Sequence, residues 1–376
     1  MTAIRTLPAS VSEATLYVAF ELGAKSWKLG VTAGFGIEPW VQTVVARDWA
    51  AVRRVFERAR ARFGLAPTAG VVSCYEAGRD GFWIHRALEA QGLANRVVDS
   101  ASIEVDRRSR RTKTDRVDAR KLAQMLVRAC MGDAHVWREV HVPPAAAEAA
   151  RHVSRERSEL VAEQTRLTNR VQSVLTTYGT GVPKRRTGAW WTTVRDWAGA
   201  ALPTEVQARL RRLEARLAFV ARQVTEIEAA QQQRRETASP EAALRQLVRL
   251  KGIATTSASV LLDEGLVWRA FRNRRQVGGF VGFRPVPYSS GEQARDQGID
   301  RAGNRRLRAV SIQLAWNWVR WQPGSALTCW YSRCFARRGA RSRRVGIVAL
   351  ARKLLIALWR YATTGAVPDG AMLKAA

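Results

Sequence analysis

Acidic residues are scarce in this chain of 376 residues. Its 32 Asp and Glu stand against 62 Lys and Arg, which gives a formal net charge of +30. Phosphate contacts and counterion release dominate the binding of such basic proteins to nucleic acids, so the charge favours a nucleic-acid partner. The basic residues are spread along the whole chain, among apolar residues that make up 47% of it. This mixture indicates a folded protein rather than a disordered basic tail or a basic segment that only binds membranes.

Cysteine and long apolar runs are also scarce. No apolar run reaches the roughly 18 residues that span a bilayer, and the N-terminal MTAIRTLPASVSEATLY has no apolar signal core. The four cysteines have no spacing typical of a metal site and are interpreted as reduced thiols: Cys74, Cys130, Cys329 and Cys334. The sequence therefore predicts a cytoplasmic protein without a membrane partner.

Residues 1–140 are predicted to form an α/β domain. Apolar alternation predicts three strands within residues 15–45 and two more at 70–78 and 94–100. Amphipathic patterns predict helices after the third and fourth strands and a further helix at 107–126. Strands and helices in this order predict a mixed sheet.

Residues 141–238 carry heptad patterns. Apolar residues at alternating spacings of three and four run from Leu210 to Ile227, and a seven-residue repeat runs from Val153 to Val174. Two such helices joined by a loop predict an antiparallel coiled-coil hairpin. Because a lone helix cannot bury this apolar stripe, part of it is expected to pair with another subunit. The sequence therefore predicts a homo-oligomer, either a dimer or a tetramer.

Residues 239–376 are predicted to form a mainly α-helical domain. Residues 242–265 resemble a helix–hairpin–helix element, whose turn at 251–253 would present backbone N–H groups to a phosphate. A loop rich in Gly, Pro and Ser then leads into a basic helix. The last predicted helix is basic and amphipathic and is capped by Gly365.

The segment 107–126 places two acids inside a basic run. Asp115 and Asp118 are three residues apart and therefore share one helix face. Adjacent carboxylates repel each other unless a cation lies between them, as it would in a magnesium site. The alternative is a solvated helix stabilised by ion pairs four residues apart. Basic residues here and in a later helix are predicted to contact nucleic-acid phosphates: Arg107, Arg108, Arg110, Arg111, Lys113, Arg116, Arg120, Arg305, Arg306 and Arg308.

Two further acids stand at the ends of predicted strands. Glu21 ends the first strand and Glu76 ends the central strand VVSCYE. Glutamate after an apolar run is unusual unless it is paired or binds a ligand. Together with Asp115 and Asp118 these residues can converge on two metal ions, as in ribonuclease-H-like nucleases and transposases. For Glu21 alone, an ordinary surface position remains the alternative.

The chain resembles transposases of the insertion sequence 110 family and is close to its 1111 subgroup. The resemblance rests on YVAFELGAKSW, VVSCYEAGRDGFWIHR and KTDRVDARKLA in the first domain. It continues in LVRLKGIATTSASVLLDE, FVGFRPVPYSSG and GIDRAGNRRLR, in the same order and spacing, and covers roughly residues 15–325. One departure is that Glu21 stands where the family usually has Asp.

The resemblance implies a fold and a mechanism. It implies a RuvC-like domain whose DEDD acids, here Glu21, Glu76, Asp115 and Asp118, bind Mg²⁺. It also implies a coiled coil and a C-terminal transposase domain whose serine attacks DNA. That serine would be Ser290, which directly precedes a glycine, or else Ser289. The implied partners are donor DNA, target DNA and a noncoding bridge RNA that pairs with both.

Two other functions remain open at the level of the sequence. One is a RuvC-like nuclease that hydrolyses branched DNA with metal-activated water. The other is a non-catalytic basic protein that binds RNA or DNA, in which Ser289 and Ser290 only form a turn. A covalent protein–DNA adduct would distinguish the transposase from the nuclease, because hydrolysis forms none.

Overall fold

The computed structural model describes residues 15–104, 115–237, 241–290 and 293–374. The chain divides into two compact units between Val142 and Pro143. Each unit has hydrophobic core clusters of its own. The division of the sequence into 1–140, 141–238 and 239–376 remains a prediction.

The first unit contains the mixed sheet that the sequence predicts. In spatial order its strands are β3 (Trp40–Val45), β2 (Ser26–Thr32), β1 (Thr15–Leu22), β4 (Gly70–Glu76) and β5 (Ala94–Val98). Strands β1, β2 and β3 pair antiparallel, whereas β1, β4 and β5 pair parallel. This sheet is consistent with an α/β fold of the ribonuclease-H-like class.

Helices cover both faces of this sheet. Alternate residues of β1 point to opposite faces, so Phe20 packs in one core cluster and Ala19 in another. The Phe20 face is covered by two helices that follow β3 and β4, and the Ala19 face by one later helix. These helices are α1 Trp49–Arg62, α2 Trp83–Glu89 and α3 Asp115–Cys130.

The second unit begins with two long helices, α4 (Ala145–Thr176) and α5 (Thr204–Thr237). They run antiparallel, because Arg157 pairs with Glu228 whereas Glu163, further along α4, pairs with the earlier residue Arg216. Their shared core buries members of both predicted heptad seams: Leu167, Val171, Val174, Leu210, Leu213, Leu217 and Val220. The two helices are therefore packed as a pair, and the supercoil of a coiled coil remains a prediction.

The remaining helices share one hydrophobic core with the last helix of the chain. Leu350, Leu354 and Leu358 of that helix are buried, and Gly365 ends it with a left-handed conformation at φ 76°. No helix in the described part of the chain combines the length and apolar character that crossing a membrane requires. The helices are α6 Glu241–Arg249, α7 Thr255–Asp263, α8 Arg274–Phe280, α9 Arg305–Trp321, α10 Ala326–Tyr331 and α11 Ala340–Thr364.

The predicted helix–hairpin–helix element corresponds to α6, a turn and α7. In the turn, the Lys251 N–H donates to the Met372 carbonyl at 3.0 Å and the Ile253 N–H donates to the Leu250 carbonyl at 3.2 Å. Both amides are therefore already bonded within the chain. The expectation that this turn presents its amides to a phosphate is not confirmed.

The serine segment is a β-hairpin, and the expectation of a loop is corrected here. Strands β6 (Pro285–Ser290) and β7 (Gln293–Ile299) pair antiparallel, with Ser290 opposite Gln293. Proline normally disfavours a strand because it lacks a ladder donor, but a two-stranded sheet consists only of edge strands, which tolerate it. The pairing is also irregular between Pro285 and Pro287.

Candidate active site

Glu21 and Glu76 lie side by side at the ends of neighbouring parallel strands. Phe20 of β1 is in register with Tyr75 of β4, so the next residue on each strand is a glutamate. Adjacent strands are about 5 Å apart. Phe20 and Tyr75 face the core beneath α1 and α2, and alternation therefore places both glutamates on the opposite face, which α3 covers.

Helix α3 brings two aspartates to this face. It passes very close to the sheet at Gly30, where a Cβ atom would lie 2.2 Å from the Ala119 carbonyl oxygen. Only glycine leaves room for that approach. Asp115 and Asp118 occupy the first turn of α3, four residues and one residue before Ala119. The sheet and the helix thus bring all four predicted acids to one side of the first unit.

Lys28, which is not among the site residues predicted from the sequence, joins these acids. Lys28 lies on β2 directly opposite Glu21, and its Nζ donates to Asp115 Oδ2 at 2.7 Å. Lys28, Glu21 and Glu76 therefore form a row across β2, β1 and β4. The available sequence signal was a lysine inside the apolar strand SWKLGVT.

The four acids have the chemistry of a site for a divalent cation. Carboxylate oxygens are the donors that Mg²⁺ prefers, and β1, β4 and α3 carry these carboxylates on the same side of the sheet. Within residues 15–104 and 115–237 and the later described ranges, however, no three acidic, His or Cys side chains come together as a ready metal cluster. The Lys28 ammonium instead provides a positive charge beside Asp115. The donor type and placement fit a divalent cation, and binding would require these side chains to draw closer together.

The predicted basic residues around α3 differ in their placement. Arg116 is exposed, whereas Arg120 pairs with Glu38 at 3.5 Å. The others fall outside the described residues: Arg107, Arg108, Arg110, Arg111 and Lys113. Arg116 is therefore the residue of this group that is most open to a phosphate contact among those described.

At the start of α9, only Arg305 is exposed. Arg308 donates to the carbonyls of Val281 and Arg301 at 2.8 and 2.9 Å. Arg306 donates to the Ser154 carbonyl and to the Ser158 hydroxyl of α4. These contacts connect α9 to α8 and α4, so two of the three arginines already have structural partners within the chain.

A buried carboxylate completes this connection between α4 and α9. The side chain of Glu264 is 0% exposed and accepts two hydrogen bonds from Arg155 at 3.0 Å and one from Asn304 at 2.8 Å. Burial alone would raise the pKa of Glu264, but the hydrogen bonds from Arg155 and Asn304 hold this pKa below its usual value. The carboxylate is therefore ionised in the folded protein and fixes α4 on the C-terminal helices.

We expect Glu264→Gln to lower the free energy of unfolding by about 2–3 kcal/mol, because Arg155 loses its buried anionic partner. The folded pKa is depressed, so this contribution is complete above the unfolded pKa of about 4.3 and is lost as the pH falls through the folded value. Denaturant unfolding at pH 7 and again below pH 4 measures both effects. Glu163→Gln, which removes a more exposed pair with Arg216, should cost less than about 1 kcal/mol.

An equal loss for Glu264→Gln and Glu163→Gln at pH 7 would contradict this assignment. The assignment would also be contradicted if the difference in unfolding free energy between wild type and Glu264→Gln did not become smaller in acid.

The predicted nucleophiles lie in the second unit. Ser289 and Ser290 are the last two residues of β6 and pair with Ala294 and Gln293 of β7. Ser290 therefore stands at the closed end of the hairpin, next to its turn. The acids belong to the first unit and the serines to the second.

Family models of known proteins match residues in both units. Residues 244–328 match the family model described as "Transposase IS116/IS110/IS902 family", and residues 42–180 match a model described as "Transposase". The second match includes Glu76, Asp115 and Asp118 but begins after Glu21.

Individual relatives cover most of the chain. A Sinorhizobium fredii protein named "Putative transposase y4rJ" is 38% identical over 96% of this chain and 94% of its own length. The Yersinia enterocolitica "Transposase for insertion sequence element IS1328" is 27% identical over 57% of this chain and 62% of its own length. The similarity to y4rJ therefore extends through both units.

Proposed function

The chain belongs to the IS116/IS110/IS902 family of transposases, and from this membership we propose that its four acids and its serine hairpin together carry out DNA strand transfer. Family membership makes the protein an insertion-sequence transposase, an enzyme that cuts and rejoins DNA. The observation that supports the acid site most strongly is the register of β1 with β4, in which Glu21 and Glu76 are neighbours on the sheet face that α3 packs against.

In this proposal Glu21, Glu76, Asp115 and Asp118 would hold Mg²⁺. When bound, the cation supplies Lewis-acid stabilisation of the charge that develops on the phosphate and the leaving oxygen. The protein contributes the placement of the carboxylates: two rigid strand ends and one helix turn fixed at Gly30. Exposed basic residues such as Arg116 and Arg305 hold the DNA backbone through its phosphates.

Lys28 is proposed to neutralise the acids while no divalent cation is bound. Its ammonium pairs with Asp115 and lies across from Glu21, which offsets the repulsion between adjacent carboxylates. A cation that enters the site must compete with this ammonium. Lys28 is thus a positioning residue that sets how strongly the acids attract a metal ion.

We expect Lys28→Met to bind Mg²⁺ at least about fivefold more tightly, because one nearby positive charge is removed. Isothermal titration calorimetry with Mg²⁺ measures this without an activity assay. Lys25→Met is the matched control, since Lys25 is exposed in the turn between β1 and β2. Affinity that is unchanged or weaker in Lys28→Met would contradict the role proposed for Lys28.

Ser290 is proposed as the nucleophile, with Ser289 as the alternative. Its Oγ would form a bond to the phosphorus as the bond from phosphorus to one deoxyribose oxygen breaks. The serine proton is released, and the leaving oxygen takes up a proton as a hydroxyl. The DNA then remains attached through a phosphoserine until another DNA hydroxyl attacks the phosphorus and restores the serine. A metal-activated water in place of the serine would make the enzyme hydrolytic and leave no adduct.

The proposed partners are donor DNA, target DNA and a noncoding bridge RNA that pairs with both. The net charge of +30 suits contact with several nucleic-acid strands at once. RNA that copurifies with the protein, when sequenced, should derive from the noncoding DNA beside the gene and contain segments complementary to both DNAs. If the purified protein recombined DNA in the absence of RNA, guidance by a bridge RNA would be excluded.

We also propose a homo-oligomer. Leu210 and Leu217 are buried within the α4–α5 pair. Val224 and Ile227, nearer the end of α5, remain partly exposed. These two residues continue the apolar seam and can pack against a second copy. Light scattering should give the mass of two or four chains, and Val224→Asp with Ile227→Asp should lower it. A monomeric wild-type protein would contradict this proposal.

A further inference from the structure

A cleft in the second unit combines a cationic rim with an apolar floor. Its volume is about 910 Å³. Three partly exposed side chains contribute to the floor: Ile312, Trp330 and Val348. The rim carries basic residues from α8, β7–α9 and α11: Arg274, Arg275, Arg301, Arg344, Arg352 and Lys353.

Among the residues that the structure describes, no acidic side chain balances the positive charge of this rim. None of them lines the cleft with a carboxylate, and none of them forms an ion pair with the six rim cations. Lys353 instead lies 4.6 Å from the centre of the Trp330 ring, a cation–π contact. Like charges that line the same cleft repel each other. The cleft therefore favours a polyanionic ligand that would neutralise several of them.

The apolar floor indicates which kind of polyanion the cleft binds. A phosphate alone would make no apolar contact with the partly exposed Ile312 and Trp330, whereas a nucleotide base is a flat apolar surface attached to a phosphate backbone. In a duplex the base faces are stacked and hidden. Single-stranded nucleic acid exposes them, and proteins bind it by combining a basic groove with aromatic and apolar platforms.

We propose that this cleft binds unpaired nucleotides of the DNA strand that the serine hairpin attacks. Pro285 and Ile299, at the open end of the β6–β7 hairpin, line the cleft, and Ser290 is at the other end. Five residues of strand at about 3.3 Å each separate the two, or about 17 Å. A strand held in the cleft can thus continue along the hairpin toward the serine. The choice of DNA rests on the function proposed above.

The charge of the rim is tested with a fluorescein-labelled 12-nucleotide single-stranded DNA, by fluorescence anisotropy of the full-length protein. Arg275→Glu with Arg344→Glu should weaken binding by at least about tenfold and make the dependence of log Kd on log salt shallower by about two. The control pair, Arg211→Glu with Arg212→Glu, changes the net charge equally on exposed positions of α5. An equal loss of affinity in both pairs of variants would mean that the net charge of the protein attracts the DNA without a specific contribution from the cleft. That result would overturn the proposal.

The apolar floor is tested with modified ligands on the wild-type protein. An abasic strand of equal length should bind at least about fivefold more weakly, because base stacking on the floor is lost. A blunt duplex of the same sequence should also bind more weakly than the single strand. Equal affinity for the abasic strand would overturn base binding, and a preference for the RNA of the same sequence would overturn the choice of DNA. These binding measurements do not involve cleavage. If the predictions for the acids or for the serine fail, the binding results still test the cleft independently.

Discussion

Glu76→Gln is expected to abolish DNA cleavage while DNA binding stays close to that of the wild type. Gln has nearly the same shape as Glu but lacks the negative charge, so it is a poor ligand for Mg²⁺. Loss of the metal's stabilisation of the phosphate is worth several kcal/mol, a decrease in rate of at least about a hundredfold. Binding changes little because one charge is removed from a protein with a net charge of +30.

The matched control for this experiment is Glu57→Gln. Glu57 is an exposed residue of α1, on the other face of the same sheet, and its substitution removes the same charge. Asp118→Asn should act like Glu76→Gln, and EDTA should act like both. Cleavage at the wild-type rate in Glu76→Gln, Asp118→Asn or EDTA would show that the acids do not form the reactive metal site.

Ser290→Ala is expected to eliminate recombination and the covalent protein–DNA adduct. The substitution removes the attacking oxygen, and the methyl side chain that replaces it cannot form the phosphoester. DNA and RNA binding should remain, because the basic surface is unchanged. A gel assay under denaturing conditions separates adduct from free DNA, and the same reaction reports recombinant product.

Ser289→Ala is the control for the nucleophile, since it is the neighbouring residue on the same strand and differs from Ser290 only in position. It should retain the adduct. If Ser289→Ala loses the adduct and Ser290→Ala keeps it, the nucleophile is Ser289. If both variants recombine DNA normally, neither serine is the nucleophile, and metal-activated water becomes the better account.

The mixed sheet and its two glutamates could be predicted from sequence because their signals are local. Each glutamate directly follows an apolar run, and the order of strands and helices places parallel strand ends together. Lys28 could not be found in this way. Its position opposite Glu21 depends on the register of β1 with β2, and a shift by one residue would move it to the other face of the sheet.

Propensity misled the interpretation of the serine segment. Pro285, Pro287 and the Ser-Ser-Gly sequence favour a loop, whereas pairing with β7 makes a hairpin. The role of Arg306 was equally hidden, because its partners Ser154 and Ser158 lie far away in sequence. The basic cleft depends on tertiary structure in the same way, since three separate helices contribute Arg275, Ile312 and Arg344 to one surface.

The central claim is that a serine of this hairpin becomes covalently bonded to DNA under control of the acid site. Mass spectrometry tests it most directly. Wild-type protein is incubated with Mg²⁺, its copurifying RNA and DNA that carries the ends of the element, and is then digested with nuclease and protease. The account predicts that the peptide containing Ser290 carries a nucleotide phosphate, and that Glu76→Gln yields none. Cleaved DNA together with an unmodified peptide in the wild type would contradict it.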